Sequence, residues 1–159
     1  MAGEKNPFPV VYSSLTSSSC SHASIFGLSR VGDSIPLHDH EGIYGFIRVL
    51  RGSIRVTAFS KDPSSDRVRF EGISEISDRD DPRVLLVKPY TNNIHEISAL
   101  EPGSVFFDFL VPGYQGACTY YAKPKALPPI GEWCSLREAP VPLSYQCFDL
   151  KYPQVSYDD

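Results

Sequence analysis

Apolar and polar residues alternate along most of this chain with a period of two, in short runs broken by glycine and proline. The clearest run is Ser53 to Phe59, where Ile54, Val56 and Ala58 share one face. Strict alternation of that kind marks a half-buried strand, because successive side chains leave a strand on opposite sides. Tyr44 to Leu50 precedes it across Arg51-Gly52, so the pair reads as a hairpin. Further strands are expected at Ala23 to Val31, Val68 to Ile76, Arg83 to Lys88, Ile94 to Leu100, Ser104 to Val111 and Ala117 to Lys123. Helical periodicity is almost absent. The 14 prolines and 11 glycines fall mostly between these runs, as punctuation. Many short strands at this spacing predict an all-β jelly roll or barrel, in which opposed sheets enclose one core. The Ser-rich leader is expected to be irregular or an edge segment from Ser13 to Ser21, and the Pro-rich tail from Pro124 to wrap the barrel. One domain, residues 1–159, accounts for the whole length, with residues 1–22 as leader and 124–159 as tail.

Charge narrows the function classes. The net charge of −4 offers no basic field for nucleic acid, and the cluster Asp78-Arg79-Asp80-Asp81 reads as a solvated loop. No apolar stretch is long enough to cross a bilayer as a helix, and the N-terminus lacks a basic region followed by an apolar run. The expectation is a cytoplasmic monomer that binds neither nucleic acid nor membrane. Cys20, Cys118, Cys134 and Cys147 form no CxxC pair, and in a reducing compartment they read as free thiols.

Candidate chemistry sits in three of the four histidines. His38 and His40 lie one residue apart in Ser34-Ile35-Pro36-Leu37-His38-Asp39-His40, and His95 follows far downstream in Asn93-Ile94-His95. On a strand His38 and His40 point one way while Leu37 and Asp39 point the other. A third imidazole from another strand completes a three-point clamp whose opposite positions stay open, the arrangement that catalytic metal sites keep and structural ones close. The competing reading is a set of hydrogen-bonded barrel histidines. His22, in the leader, is read as an ordinary polar residue. Imidazole suits iron, zinc, copper and nickel alike, so spacing leaves the metal open.

The series Gly32, His38, His40, Gly45, Gly52 resembles the first motif of the cupins, with Gly45 where a metal-binding Glu commonly stands. Several strings together are similar to a narrower group, the 2-aminoethanethiol dioxygenase and plant cysteine oxidase family. These are Ser34 to His40, followed by Gly42, Gly45, Val49-Leu50, Gly52 and Arg55-Val56; Asn93-Ile94-His95; Phe107-Asp108-Phe109-Leu110 with Pro112 and Tyr114; and Cys118-Thr119-Tyr120-Tyr121. Glu132-Trp133 and Tyr145-Gln146-Cys147 resemble its animal branch. Glu41, Tyr44 and the short Gln115-Gly116-Ala117 segment depart from the family pattern, as does a shorter N-terminus, and these departures bear on the substrate mouth.

The resemblance implies a double-stranded β-helix, Fe(II) held by His38, His40 and His95, and O₂ as co-substrate. It also implies oxidation of an aminothiol, either cysteamine or the N-terminal cysteine of a protein or peptide, to a sulfinic acid, with a role in oxygen sensing. Asp108 interrupts an apolar strand, and a buried carboxylate needs a partner. The partner is either an internal donor or, as the resemblance implies, a substrate ammonium. Cys118 and Tyr120 lie two residues apart on an expected strand and share a face, and the resemblance implies that they can join in a thioether. The alternatives are a non-enzymatic cupin that binds a metal or small ligand, and an enzyme for free cysteine. The latter needs a cationic clamp for the amino-acid carboxylate, and nothing like one stands out near the His motifs, with the places of Arg48, Arg51 and Arg55 left open by the sequence.

Overall fold

The computed structural model describes residues 8–143 and 145–150, which fold as two packed antiparallel sheets with no helix among them. The strands are β1 Val10–Ser17, β2 His22–Leu28, β3 Ser34–Asp39, β4 Tyr44–Arg51, β5 Ser53–Lys61, β6 Arg67–Ser77, β7 Leu85–Val87, β8 Ile94–Ala99, β9 Ser104–Val111, β10 Trp133–Ser135 and β11 Cys147–Asp149. One sheet has the order β11-β1-β2-β9-β4-β7 and the other β10-β6-β5-β8-β3. All pairings are antiparallel except β1 with β11.

The expected all-β fold is therefore the observed one, and alternation explains where the core lies. Ile54 and Val56 of β5, Ile97 and Ala99 of β8, Ile47 and Val49 of β4 and Phe106 of β9 meet between the sheets. A second cluster covers the other face of the five-stranded sheet. Leu37, Phe59, Val68, Phe70 and Ile94 pack there under Tyr121, Leu127, Cys134 and Leu136, which come from the segment after β9. That segment covers a face that would otherwise expose apolar side chains to water.

The Ser-rich leader is in part the edge segment expected: β1 runs to Ser17, where Ser13, Ser14, Thr16 and Ser17 pair with β2 alone, while β11 pairs only with Val10 to Tyr12. Serine is a weak strand former, but the backbone ladder and the packing of Val10 override its propensity. Ala117 to Lys123, expected as a strand, forms none. It runs beside β3 through separate contacts, with Asp39 N–H donating to Thr119 O, Tyr121 N–H donating to Leu37 O, and an isolated bridge between His38 and Tyr120. Pro124 and the turns on either side leave it too short to build a ladder.

The β4–β5 turn shows how tightly this frame is closed. Gly52 has φ +77°, and a Cβ there would stand 2.7 Å from Ser104 Oγ and 3.2 Å from Ser104 Cα. Gly32 has a similar φ of +84° with nothing within 4 Å. Gly32→Ala should lower unfolding stability by about 1 kcal/mol, the conformational term alone. Gly52→Ala should cost about 2–4 kcal/mol, because backbone strain and a steric clash add. Urea denaturation of the two variants would separate the terms, and equal losses would remove the clash.

Candidate metal centre

His38 lies on β3 and is the cross-strand partner of His95 on β8, while His40 follows two residues on, just past the end of β3. Alternation brings the first two to one face and strand pairing brings the third beside them. A hydrogen bond from His40 N–H to Asn93 O, 2.7 Å long, also ties the two ligand-bearing segments together. The ligand-type nitrogens of the three rings lie within 4.8 Å of one another, and all three residues are buried. Sequence spacing foresaw this grouping in full.

Each ring is oriented by a protein oxygen at Nδ1. His38 Nδ1 lies 2.7 Å from Pro36 O, His95 Nδ1 3.4 Å from Asn92 O, and His40 Nδ1 2.7 Å from the Tyr114 hydroxyl. Tyr114 itself donates to Asp39 O at 3.0 Å, so its oxygen is left to accept from His40. The Nδ1–H tautomer follows, with Nε2 carrying a free lone pair. Desolvation is the first cause that lowers the basicity of all three rings. His95 falls to about 3, and His40 is lowered further by its two neighbouring imidazoles. They are neutral at neutral pH, which is the ligand form.

These residues fit a metal ion. His40 Nε2 and His95 Nε2 stand 3.1 Å apart. With both Nδ1 atoms protonated, two lone pairs face each other there, an arrangement a shared cation stabilises. Nitrogens bound at about 2.1 Å and roughly a right angle lie about 3.0 Å apart. Gly45 is closely covered: a Cβ there would stand 3.1 Å from both Leu110 Cδ2 and Val87 Cβ, so a side chain would need those neighbours to shift.

The histidines open into a cavity of about 360 Å³ between the sheets. Its opposite wall is β9 and β2, which contribute Asp108, Phe106, Leu110, Ser24 and His22. Asp108 Oδ1 is sealed from solvent and has no hydrogen-bond partner among the described residues. Desolvation pushes its carboxyl up to about 7. Of the two partners considered for this carboxylate, an internal donor to Oδ1 is not found. Cys118 and Tyr120 both line the same cavity and share a side-chain hydrogen bond, although the segment carrying them is not a strand. Asp39 Oδ1 accepts from Thr119 N–H at 2.8 Å and so holds that segment beside the site.

Several cavity residues were missed. His22, read as ordinary, lines the cavity with Tyr12 and Ser24, and Tyr145 of the tail joins them. A weak signal existed in the leader, since His22 and Ser24 stand at i and i+2, but nothing in sequence said that this strand would face the metal ligands. Glu41 and Tyr44 stand away from the cavity: Glu41 is on the β3–β4 turn and Tyr44 is half exposed. These departures leave the inner wall unchanged. Arg55 pairs with Glu75 on the surface, and Arg48 and Arg51 are exposed.

Two measurements test this geometry. Replacing any one of His38, His40 or His95 by Ala should remove most bound metal while the melting curve stays cooperative, because the core does not include these rings. Tyr114→Phe should weaken metal binding about 10–100-fold by freeing the His40 ring. Metal analysis after dialysis checks both, and full retention would remove that residue from the centre. The second measurement concerns Asp108 in the metal-free protein. A carboxyl at about 7 when folded and near 3.9 when unfolded holds its proton more tightly in the folded chain. Its contribution is fully present below about pH 4 and is lost as pH rises to about 7. Asp108→Asn should abolish that decline, read as the difference between wild-type and variant denaturation across the window.

Comparison with known proteins agrees with the site. A family model described as PCO_ADO matches residues 2–131. The 2-aminoethanethiol dioxygenase of Homo sapiens is 28% identical over 143 residues, covering 71% of this chain and 52% of that protein. A probable 2-aminoethanethiol dioxygenase of Dictyostelium discoideum is 30% identical over 96 residues, covering 55% and 44%. The chain thus spans about half the length of these relatives. Among solved structures, KdgF from Halomonas sp. superposes with a TM-score of 0.50 at 18% identity, covering 67% of this chain and 82% of that one. A Klebsiella pneumoniae protein with a double-stranded β-helix domain also reaches 0.50, at 13% identity and with 67% and 75% coverage. These two bear on the fold alone. With three buried imidazoles on a double-sheet frame and a family match over residues 2–131, the chain belongs to the PCO_ADO family of thiol dioxygenase homologues.

Proposed function

We propose that this protein is an iron(II)-dependent thiol dioxygenase that oxidises an aminothiol to its sulfinic acid, R–SH + O₂ → R–SO₂H, with the N-terminal cysteine of a peptide as preferred substrate and cysteamine also accepted. The observation that carries this reading is Asp108. An unpartnered carboxylate at the wall of a cavity that also holds three neutral imidazoles provides a place for an ammonium within reach of a place for a metal-bound sulfur.

Iron(II) held by His38, His40 and His95 would supply the positive charge that draws in a thiolate and the open positions where sulfur and O₂ meet. The three rings themselves carry no charge, so they leave that attraction undiminished. Asp108 receives the amine. Its raised proton affinity reflects desolvation without a partner, and an ammonium at Oδ1 would supply the missing charge and return the carboxylate to its ionised form. Ile35, Ile97, Phe106 and Leu110 line the remaining wall and limit water around the sulfur. Tyr120 and Cys118 stand together beside His38, where a thiol and a phenol could be joined oxidatively.

Among the described residues no Arg or Lys lines the cavity, so the carboxylate of free cysteine would find no cationic clamp in that lining. A substrate whose carboxylate is absent or carried as an amide suits this wall better. That points to cysteamine and to peptides that begin with cysteine. Oxidation of such N-termini would give the protein a role in oxygen sensing.

Mass spectrometry of a Cys-initiated peptide and of cysteamine, at equal concentration with iron-loaded enzyme, tests the reading. Both should gain two oxygens, and the same peptide with an acetylated N-terminus should gain none. Oxidation of cysteamine alone would overturn the peptide assignment. Equal oxidation of the acetylated peptide would overturn the role of Asp108.

A further inference from the structure

The cavity is larger than a two-carbon aminothiol needs. Its volume of about 360 Å³ equals roughly a dozen waters at ~30 Å³ each, whereas cysteamine has only four heavy atoms. Beyond the histidines, Asp108, the apolar wall and the tyrosines, the cavity is also lined by β2 and by the end of β1. Ser24 on β2 is the direct cross-strand partner of Asp108 on β9, and His22 lies two residues along the same face of β2. Ser17 on β1 is in turn the partner of His22, and Ser17 and Ser18 line the cavity where the chain is exposed. A path therefore runs from Asp108 across β2 to solvent at the β1–β2 turn. At about 4.8 Å per strand it spans roughly 10 Å, the length of about three extended residues.

Along that path one polar group is built with care. His22 Nε2 meets two hydroxyls, Ser24 Oγ at 2.7 Å and Tyr12 Oη at 3.0 Å. Burial lowers the basicity of the ring, so it is neutral at neutral pH and carries a single N–H. Each hydroxyl can donate to or accept from Nε2; in the tautomer in which Nε2 accepts, the ring proton sits on Nδ1. Among the described residues no hydrogen bond engages Nδ1. Two side chains on two strands thus hold a ring whose other nitrogen has no protein partner among the described residues. The structural alternative is a hydrogen-bonded trio that merely closes the β1–β2 ladder. An unused ring nitrogen beside surplus cavity space favours a ligand.

We propose that His22, held by Ser24 and Tyr12, donates a hydrogen bond to the first peptide carbonyl after the substrate's N-terminal cysteine, and that the peptide leaves the cavity past Ser17 and Ser18. This subsite rests on the aminothiol reading of the cavity. Cysteamine has no such carbonyl, so the subsite separates a peptide from the small aminothiol where sulfur and amine cannot. His22 acts here as a specificity residue and takes no part in the oxidation.

The test is the ratio of kcat/KM for a peptide of one cysteine followed by four glycines to kcat/KM for cysteamine, measured on iron-loaded enzyme. In His22→Phe, which keeps ring volume and removes both nitrogens, the ratio should fall about tenfold or more, mainly through a higher KM for the peptide. Ser24→Ala, which frees the ring without removing it, should lower the ratio in the same direction, and it serves if the Phe variant melts early. A wild-type enzyme that oxidises cysteamine and no peptide would overturn the peptide reading and the subsite together. An enzyme that oxidises the peptide with an unchanged ratio in both variants would overturn the subsite alone.

Discussion

Three imidazoles buried between two sheets are held in their neutral forms by desolvation, and the rest of the centre depends on that constraint. Each ring gives up the stabilisation that water would offer its protonated form, so each stays neutral with a lone pair to share. Protein oxygens then decide which nitrogen holds the proton, through Pro36 O, Asn92 O and the Tyr114 hydroxyl. The outcome is a set of lone pairs at close quarters, with His40 and His95 Nε2 only 3.1 Å apart. Without a cation that contact is poorly satisfied.

Each sheet supplies a different wall of the cavity. The five-stranded sheet carries the histidines on β3 and β8, while the six-stranded sheet carries Asp108 on β9 and the His22 group on β2. The nitrogen-lined wall and the carboxylate wall border the same cavity. The segment from Gly113 to Tyr121 joins them at one end. Tyr114 reaches His40, Asp39 holds Thr119, and Tyr120 lies against His38. Asp39 illustrates the economy of alternation, since it faces away from the metal-binding face and still positions the residues that border it.

Much of this was legible in the chain. Period-two alternation located β4, β5, β6, β8 and β9 within a few residues, and the i, i+2 spacing of His38 and His40 put both on one face. Asp108 was legible because a charge inside Val105 to Leu110 breaks an otherwise apolar strand. What remained hidden was set by pairing between distant strands. His22 looks like one more polar residue in a serine-rich leader, and only the β1–β2–β9 register brings it beside Asp108. Ala117 to Lys123 had the composition of a strand, yet the chain there makes single contacts with β3 and turns away at Pro124. Tyr114 entered only as part of a resembling string, and its hold on His40 was hidden because it comes from a contact with a residue 74 positions earlier.

The central claim is that the buried histidines hold iron and that this iron brings a thiol and O₂ together. The most direct test is to load the protein with Fe(II) without air, measure its metal content, and then follow O₂ uptake on adding cysteamine. The account predicts iron equimolar with chain and O₂ consumed mole for mole with thiol. A chain that takes up no iron under these conditions, or that holds iron and consumes no O₂ with either cysteamine or a Cys-initiated peptide, would contradict it.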